Sequence, residues 1–153
     1  MKGTMQDRSA GDDHLAEVHF GPHLFRWEPP DLGHILYDGT VDGAMVNALY
    51  AQTRRFLLLQ PRVFMLVDLT RLSRISAEAR KLSAEGSKGL NLRGVAIVGA
   101  SPLMRVVAGL VSRAVELMGN RADNPTRFFE TEREARAWIA ARRGSLPESV
   151  SHP

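Results

Sequence analysis

Residues 63–69 read VFMLVDL, and this segment is the strongest indicator of the fold class. Its first five residues are all apolar and leave no polar side for solvent, which is typical of a strand covered on both faces in a partly parallel sheet. A second run of this kind, GVAIV, spans residues 94–98. Because parallel neighbours need crossover connections, the two runs predict a sheet with helices between its strands.

The residues before this pair alternate apolar and polar side chains in three short runs. They predict half-buried strands at residues 16–20, 24–28 and 34–37. Turn residues separate the runs, Gly21-Pro22 after the first and Pro29-Pro30-Asp31 after the second. The close spacing favours antiparallel pairing among these strands.

Four helices are predicted, from apolar periodicity or from helix-start signals. They span residues 41–60, 76 to about 87 or 89, 101–119 and 131–143. Ser76, Ser101 and Thr131 are the expected N-caps, and Glu134 completes a capping box with Thr131. With a further short strand at residues 127–129, the order βββ-α-β-α-β-α-β-α predicts an α/β fold. Its mixed β-sheet should have about five to six strands, covered by about four α-helices.

The length of 153 residues is enough for one domain. The ends of the chain, residues 1–13 and 144–153, are polar and lack periodicity, so we expect disordered tails on either side of a single domain at residues 14–143. The first tail carries Asp7, Asp12 and Asp13 where a signal peptide would be apolar. Arg105 and Glu116 interrupt the longest apolar stretch. A soluble, cytoplasmic protein is expected.

The charges and the absence of cysteine exclude several classes of function. The chain has 20 basic and 17 acidic residues, a net charge of +3 and a pI of about 9.8, and only three of its basic residues are lysines. No cluster of basic residues with interleaved aromatics is present, so no nucleic-acid partner is expected. The pairs Arg54-Arg55 and Arg142-Arg143 are interpreted as cations at helix ends. The absence of cysteine excludes disulfides, thiolate catalysis and cysteine-ligated zinc or iron–sulfur clusters.

Three segments together resemble a known family. LVDLTRLSRISAEARKL at residues 66–82, RGVAIVGASPLMRVVAGLV at 93–111 and RFFETEREARAWI at 127–139 are similar to the STAS domain of anti-sigma-factor antagonists. The resemblance is closer to its SpoIIAA-like branch, which is grouped with Sec14-type domains, and it covers roughly residues 15–142. It implies a SpoIIAA-like STAS fold and a bacterial, non-catalytic protein-interaction or regulatory domain without a cofactor.

The resemblance also bears on a regulatory switch. Regulatory STAS proteins carry a motif such as Asp-Ser-Ser-Gly after the central strand, and a partner kinase phosphorylates its second serine. Aligning Ile75 with the hydrophobic residue before that motif places Glu78 at the phospho-acceptor position. The resemblance therefore implies a domain without the serine switch, binding a protein partner through Arg74, Ile75, Ser76 and Glu78. Glu78 either replaces the phosphate charge or stabilises its helix as a first-turn acid, and Ser76 is either an N-cap or a phosphosite.

The predicted helix at residues 101–119 has an apolar arc wider than packing on one sheet requires. The apolar residues beyond that arc include Met104, Val107, Val111 and Met118. They could be covered by another helix of the domain, by a homodimer or partner interface, or by an apolar ligand or membrane surface. The alternative function is therefore a small Sec14-like carrier of an apolar ligand, or a membrane-peripheral protein, using this helix. The interaction hypothesis predicts a packed interior without a deep cavity, and the carrier hypothesis predicts a lined cavity.

Signals for catalysis or metal binding are weak. No nucleophile elbow, P-loop or dinucleotide fingerprint occurs, so no enzymatic activity is expected. Asp68 is the best single carboxylate, although an aspartate at a strand end commonly accepts hydrogen bonds from the next turn. The loop from Gly99 to Pro102 could hold an anion. His14, His19 and His23 form at most a weak metal site, and alternation predicts that His19 and His34 lie at the surface.

Overall fold

The computed structural model describes residues 16–106, 109, 113 and 124–147. Within these residues six strands form one mixed sheet whose spatial order follows the chain. The strands are β1 (Glu17–Phe20), β2 (His23–Glu28), β3 (Leu32–Val41), β4 (Val63–Ile75), β5 (Leu92–Val98) and β6 (Thr126–Phe129). The first three pair antiparallel, and β3 to β6 pair in parallel, as the sequence predicts.

The helices of the described part connect the parallel strands or follow the last one. They are α1 (Gly43–Leu58), α2 (Ala77–Gly86), α3, which begins at residue 102 and is described at 102–106, 109 and 113, and α4 (Glu132–Ser145). The predicted α/β architecture with a mixed sheet is confirmed. Val107, Val111 and Met118 lie outside the described residues, as do both predicted tails except residues 144–147.

The start of β4 is buried on both faces, as its continuous apolar run predicts. Val63 and Met65 belong to the core beneath α1 and α2, whereas Phe64 and Leu66 belong to a second core beneath α4. The first core is the larger, and the second also contains Leu32, Ala96, Val98, Ala135 and Ile139. The sheet thus separates two apolar layers, which is why residues on both sides of its central strands avoid solvent.

Side-chain caps begin the helices where the sequence predicts them. The side-chain oxygens of Ser76, Ser101 and Thr131 each accept a backbone N–H three residues later, at 3.0, 3.2 and 3.2 Å. Glu134 completes the capping box. The first helix begins at Gly43 rather than near residue 41, because Asp42 is its N-cap. Each cap contributes about 1 kcal/mol to stability.

Two elements are longer than predicted. β4 continues to Ile75 because its end pairs with the end of β3, where Val41 is opposite Ile75. At the other end of the chain, α4 continues to Ser145 instead of stopping before Gly144. Its last turn is held against the sheet by Arg143, which binds the buried carboxylate of Asp31. Tertiary contacts thus override the local stop signal.

Candidate functional site

Two helices begin side by side at one edge of the sheet. β3 ends at Val41 and β4 ends at Ile75, and α1 and α2 begin directly after these strands. The backbone N–H of Ser76 donates to the carbonyl of Val41 at 3.0 Å, which joins the two strand ends. Ligands of open α/β sheets commonly bind at the carboxyl ends of parallel strands, so this edge is a candidate binding surface.

The four predicted partner-binding residues lie together at this edge, and we call them the β4–α2 surface: Arg74, Ile75, Ser76 and Glu78. Arg74 and Glu78 are both exposed. Arg74 is the second-last residue of β4, and Glu78 lies in the first turn of α2. Ile75 is half-buried and packs against the first core. The hydroxyl of Ser76 accepts from the Ala79 N–H, so the N-cap interpretation of Ser76 is confirmed. The two charged side chains are thus the exposed members of this surface.

Glu78 is positioned by a glycine of the neighbouring helix. A Cβ atom built on Gly43 would lie 2.7 Å from Glu78 Cδ and 2.8 Å from its Oε2, so the carboxyl group packs where a side chain would otherwise stand. Gly43 is the first residue of α1, and Glu78 lies in the first turn of α2. Helix N-termini carry partial positive charge, and the carboxyl group lies at the start of two helices rather than one.

A cavity of about 310 Å³ lies under α2 on the same face of the sheet as α1. Its walls are mainly apolar, from the sheet (Phe25, Ile35, Tyr37, Met65, Val67, Leu69, Ile75, Leu92, Val95, Ile97), from α1 (Leu49, Tyr50, Leu57) and from Met104 of α3. Met104, one of the four residues predicted for the apolar site, thus lines the cavity, and the other three lie outside the described residues. The lined cavity is the feature that the carrier hypothesis predicts. Among the described residues this face is not fully packed, in contrast to what the interaction hypothesis predicts.

The cavity follows from the residues on the inner face of α2. Positions spaced three and four apart line one side of a helix, and here the residues that face the cavity are Arg80, Ser83, Ala84 and Ser87. A helix packed on a sheet usually places large aliphatic side chains at such positions. Small and polar side chains fill less of the space above the apolar strands, and the cavity is what remains.

Polar contacts from α1 hold α2 at this distance. The ring of Tyr50 lies directly against the backbone of Gly86, where any Cβ atom would overlap it. The hydroxyl of Tyr50 donates to the carbonyl of Ser83 at 3.1 Å. Arg54 donates to the carbonyls of Gly86 and Lys88, two acceptors that the end of α2 leaves free. α2 is therefore attached to α1 rather than pressed onto the sheet.

A cluster of charged residues fastens α4 to the opposite face. The buried carboxylate of Asp31 accepts from Arg62 at 3.0 and 3.2 Å and from Arg143 at 2.7 and 3.1 Å. Both guanidinium groups also lie over the ring of Phe64, at 5.4 and 5.6 Å from its centroid. The interpretation of Arg143 as a simple helix-end cation is therefore incomplete, because its main partner is a distant aspartate.

A second part of this cluster surrounds a buried histidine. Glu28 receives a bidentate pair of hydrogen bonds from Arg136 at 2.7 and 2.8 Å, and Arg136 also donates to Glu132 at 2.9 Å. These bonds lower the pKa of Glu28 against the opposing effect of burial, and they raise the pKa of Arg136. His34 Nδ1 lies 3.4 Å from Glu28. Burial lowers the pKa of His34, although Glu132 and Glu28 oppose this.

The prediction that His34 lies at the surface is wrong, since only 3% of it is exposed. Alternation places His34 on the face of β3 away from the main core, and that face is covered by α4. The prediction for His19 is correct, and its Nε2 lies 3.0 Å from Glu17 on the surface. His23 is buried and accepts from the Asp38 N–H at 3.0 Å. His14 lies outside the described residues.

A family model described as SpoIIAA-like matches residues 32–140, which is most of the chain and runs from the start of β3 into α4. The chain belongs to the SpoIIAA-like family. The matched range includes the β4–α2 surface and most of the residues that line the cavity.

Solved structures of similar shape agree with the SpoIIAA-like fold. An uncharacterised protein of the DUF3478 family from Shewanella loihica PV-4, described as having a SpoIIAA-like fold, matches with a TM-score of 0.55 and 19% identity, over 75% of this chain and 90% of its own. The anti-sigma factor antagonist SpoIIAA in its unphosphorylated form matches with a TM-score of 0.55 and 17% identity, over 78% and 96%. At these identities the likeness concerns the fold alone. No functionally curated protein matches the sequence.

The remaining polar candidates of this SpoIIAA-like chain have local roles. Asp68 accepts from the N–H of Thr70 at 2.9 Å and from its hydroxyl, so the prediction that it serves the adjoining backbone is confirmed. The Gly99 N–H already donates to Phe129, which removes one amide from the proposed anion loop. The described residues contain no group of three or more histidine, aspartate or glutamate side chains suited to a metal ion. No helix in the described part is long and apolar enough to cross a membrane.

Proposed function

We propose that this SpoIIAA-like chain is a non-catalytic regulatory module that binds a protein partner through the β4–α2 surface. The observation that carries the proposal is the position of Glu78, whose carboxylate is held against Gly43 where α1 and α2 both begin. Arg74 is exposed beside it, so the edge offers one charge of each sign. A structural neighbour is an anti-sigma factor antagonist, and by analogy we propose a regulatory, cytoplasmic role for this chain.

Binding through this surface would be constitutive, since it would not depend on phosphorylation by a kinase. Glu78 occupies the position that the family resemblance gives to the phosphorylated serine, and an acidic side chain there needs no modification by a kinase. The hydroxyl of Ser76 caps α2, and a phosphate there would replace that cap. We therefore propose that the abundance of the partner, and not phosphorylation of this chain, controls the complex.

The experiment compares charge variants in affinity purification from an extract of the source cells. Wild type, Glu78→Gln, Glu78→Ala and Glu85→Gln are used as baits, with captured proteins quantified by mass spectrometry. Glu85 is a matched control because it is an exposed acid on the same helix. We expect a partner that Glu85→Gln retains and that both Glu78 variants lose by about tenfold or more, the effect of removing one charged contact. Equal capture by all four baits would refute the proposal.

The cavity favours a second candidate function, the carrying of a small apolar ligand. Its volume of about 310 Å³ is at the lower end of ligand pockets, which span roughly 300–1,000 Å³. Native mass spectrometry of protein purified gently from cells tests this candidate. A retained small-molecule mass supports it, and protein that is free of ligand from several growth conditions argues against it. A homodimer or a membrane-peripheral role remains a prediction.

A further inference from the structure

One charged residue lines the cavity and forms no ion pair or side-chain hydrogen bond with the described residues. Arg80 is half-buried and is the only charged residue among the described residues that line the cavity. No hydrogen bond or ion pair engages its guanidinium within the part of the chain that the structure describes. Three other half-buried arginines are different, since Arg54, Arg136 and Arg143 are all bound to carbonyls or carboxylates. A partly desolvated cation without a counter-charge favours an anion.

The other polar groups of the wall differ in whether they can donate a hydrogen bond to an anion. The hydroxyls of Ser83, Ser87 and Thr53 already donate to the carbonyls of Ala79, Ala84 and Leu49, so they can only accept hydrogen bonds from a ligand. The hydroxyl of Tyr37 has no hydrogen-bond partner among the described residues, although the side chain is more than nine-tenths buried. Burial raises the pKa of Tyr37, and the Tyr50 phenol raises it further. Tyr37 is thus a neutral donor at physiological pH.

The volume and the lining of the cavity determine the size and the polarity of the rest of the ligand. A cavity of roughly 150 Å³ holds benzene, with six heavy atoms, so about 310 Å³ holds about a dozen. The floor formed by the sheet is apolar, and Arg80 lines the cavity from the helix above it. A planar guanidinium matches a carboxylate, which accepts two parallel hydrogen bonds.

We propose that the cavity binds a single-chain carboxylate amphiphile of about ten carbons, with its carboxylate at Arg80 and its alkyl chain on the sheet. This inference rests on the second candidate function and specifies its ligand. Decanoate is the probe of matching size, and 1-decanol is the uncharged control of the same chain length. Their binding to the full chain is measured by isothermal titration calorimetry, at concentrations below micelle formation.

The variants separate the charge from the cavity. Arg80→Met removes the cation and keeps a side chain of similar reach, Arg80→Lys restores a charge, and Arg133→Met removes an exposed arginine of α4 as the matched control. Ala84→Phe places a large side chain in the cavity. We expect Arg80→Met to weaken decanoate binding by about 10- to 100-fold, the effect of a lost charged hydrogen bond, and to leave 1-decanol unchanged. Arg80→Lys should recover part of the affinity, and Ala84→Phe should weaken both probes.

Each other outcome identifies what has failed. If both probes bind wild type and Arg80→Met weakens neither, or weakens both equally, the apolar-ligand function stands and the role of Arg80 is overturned. If only 1-decanol binds, the carboxylate specificity is likewise overturned. If neither probe binds wild type, the second candidate function fails together with this inference. The protein-partner proposal is independent of all three results, because it rests on Glu78.

Discussion

Asp31 should be the most important single carboxylate for the stability of the fold. Its side chain is 5% exposed and lies between two guanidinium groups, those of Arg62 and Arg143, which are 18% and 34% exposed. Replacing Asp31 with alanine leaves both cations without a counter-charge and frees the last turn of α4 from the sheet. The backbone contact between Asp31 and Phe64 does not depend on the side chain, so the change isolates the ion cluster.

The size of the effect follows from these exposures. Removing one partner of a fully buried ion pair costs about 3–5 kcal/mol, since the other charge is left desolvated. The two arginines reach solvent more easily than Asp31 does, so a free-energy loss of about 2–3 kcal/mol is expected for Asp31→Ala. For a chain of this length that corresponds to a fall in Tm of about 5–10 °C.

Urea unfolding, followed by tryptophan fluorescence, measures the change. Asp38→Ala is the matched control, because Asp38 forms a surface ion pair with Arg71 at 3.6 Å and both side chains are well exposed. Such pairs contribute about 0–1 kcal/mol. If Asp31→Ala unfolds at the same urea concentration as Asp38→Ala, the cluster does not hold α4 on the sheet, and the reasoning about its burial is refuted.

Two further predictions concern the two faces of the sheet, the face covered by α4 and the face covered by α1 and α2. The lowered pKa of Glu28 means that its ion pair stabilises the fold above the ordinary pKa of 4.5 and that this contribution is lost as the pH falls through the lower, folded value. Unfolding measured from neutral pH down to about pH 3 should therefore show a steeper acid loss in wild type than in Glu28→Gln, and parallel curves would contradict this. Gly86→Ala should cost about 1–3 kcal/mol, because the new methyl group overlaps the ring of Tyr50, and thermal unfolding measures it. Gly144→Ala, in a helix with open space around it, should be neutral or stabilising by up to about 1 kcal/mol, and an equal loss in both variants would contradict the overlap.

The order of elements could be predicted from the sequence because its signals are local. Continuous apolar runs mark strands buried on both faces, and side-chain caps mark helix starts whatever the rest of the chain does. The length of β4 could not be predicted in this way. Residues 70–74 are mostly polar, and they are a strand only because β3 pairs with them after a crossover.

The misplacement of His34 has a similar origin. Alternation shows that two faces of a strand differ, but it does not show what covers the more polar face. In β3 that face is covered by α4, more than ninety residues later in the chain, and Arg136 of α4 binds Glu28, the neighbour of His34 on β2. The ion partner of Arg143 was unpredictable for the same reason, because the sequence separation from Asp31 is 112 residues.

The cavity, by contrast, could have been predicted from the sequence of α2. The periodicity of α2 identifies Ala79 and Leu82 as inward residues, and the structure has the first buried and the second half-buried. The adjacent positions Arg80, Ser83 and Ala84 also face inward, and none of them is a large aliphatic residue. A helix whose inner face is small and polar predicts incomplete packing against an apolar sheet.

The most direct test of the central claim is hydrogen–deuterium exchange of the chain with and without the partner that the Glu78 baits identify. β4 extends beyond its last residue paired with β5, Asp68, and within the described residues no strand covers that edge. The amides of residues 70–75 that point away from β3 should therefore exchange readily in the free chain, whereas those that point toward β3 are paired. We expect the partner to slow exchange at residues 70–80 and to leave exchange in α4 unchanged. Protection confined to α4 or to β1 and β2, with residues 70–80 unaffected, would contradict it.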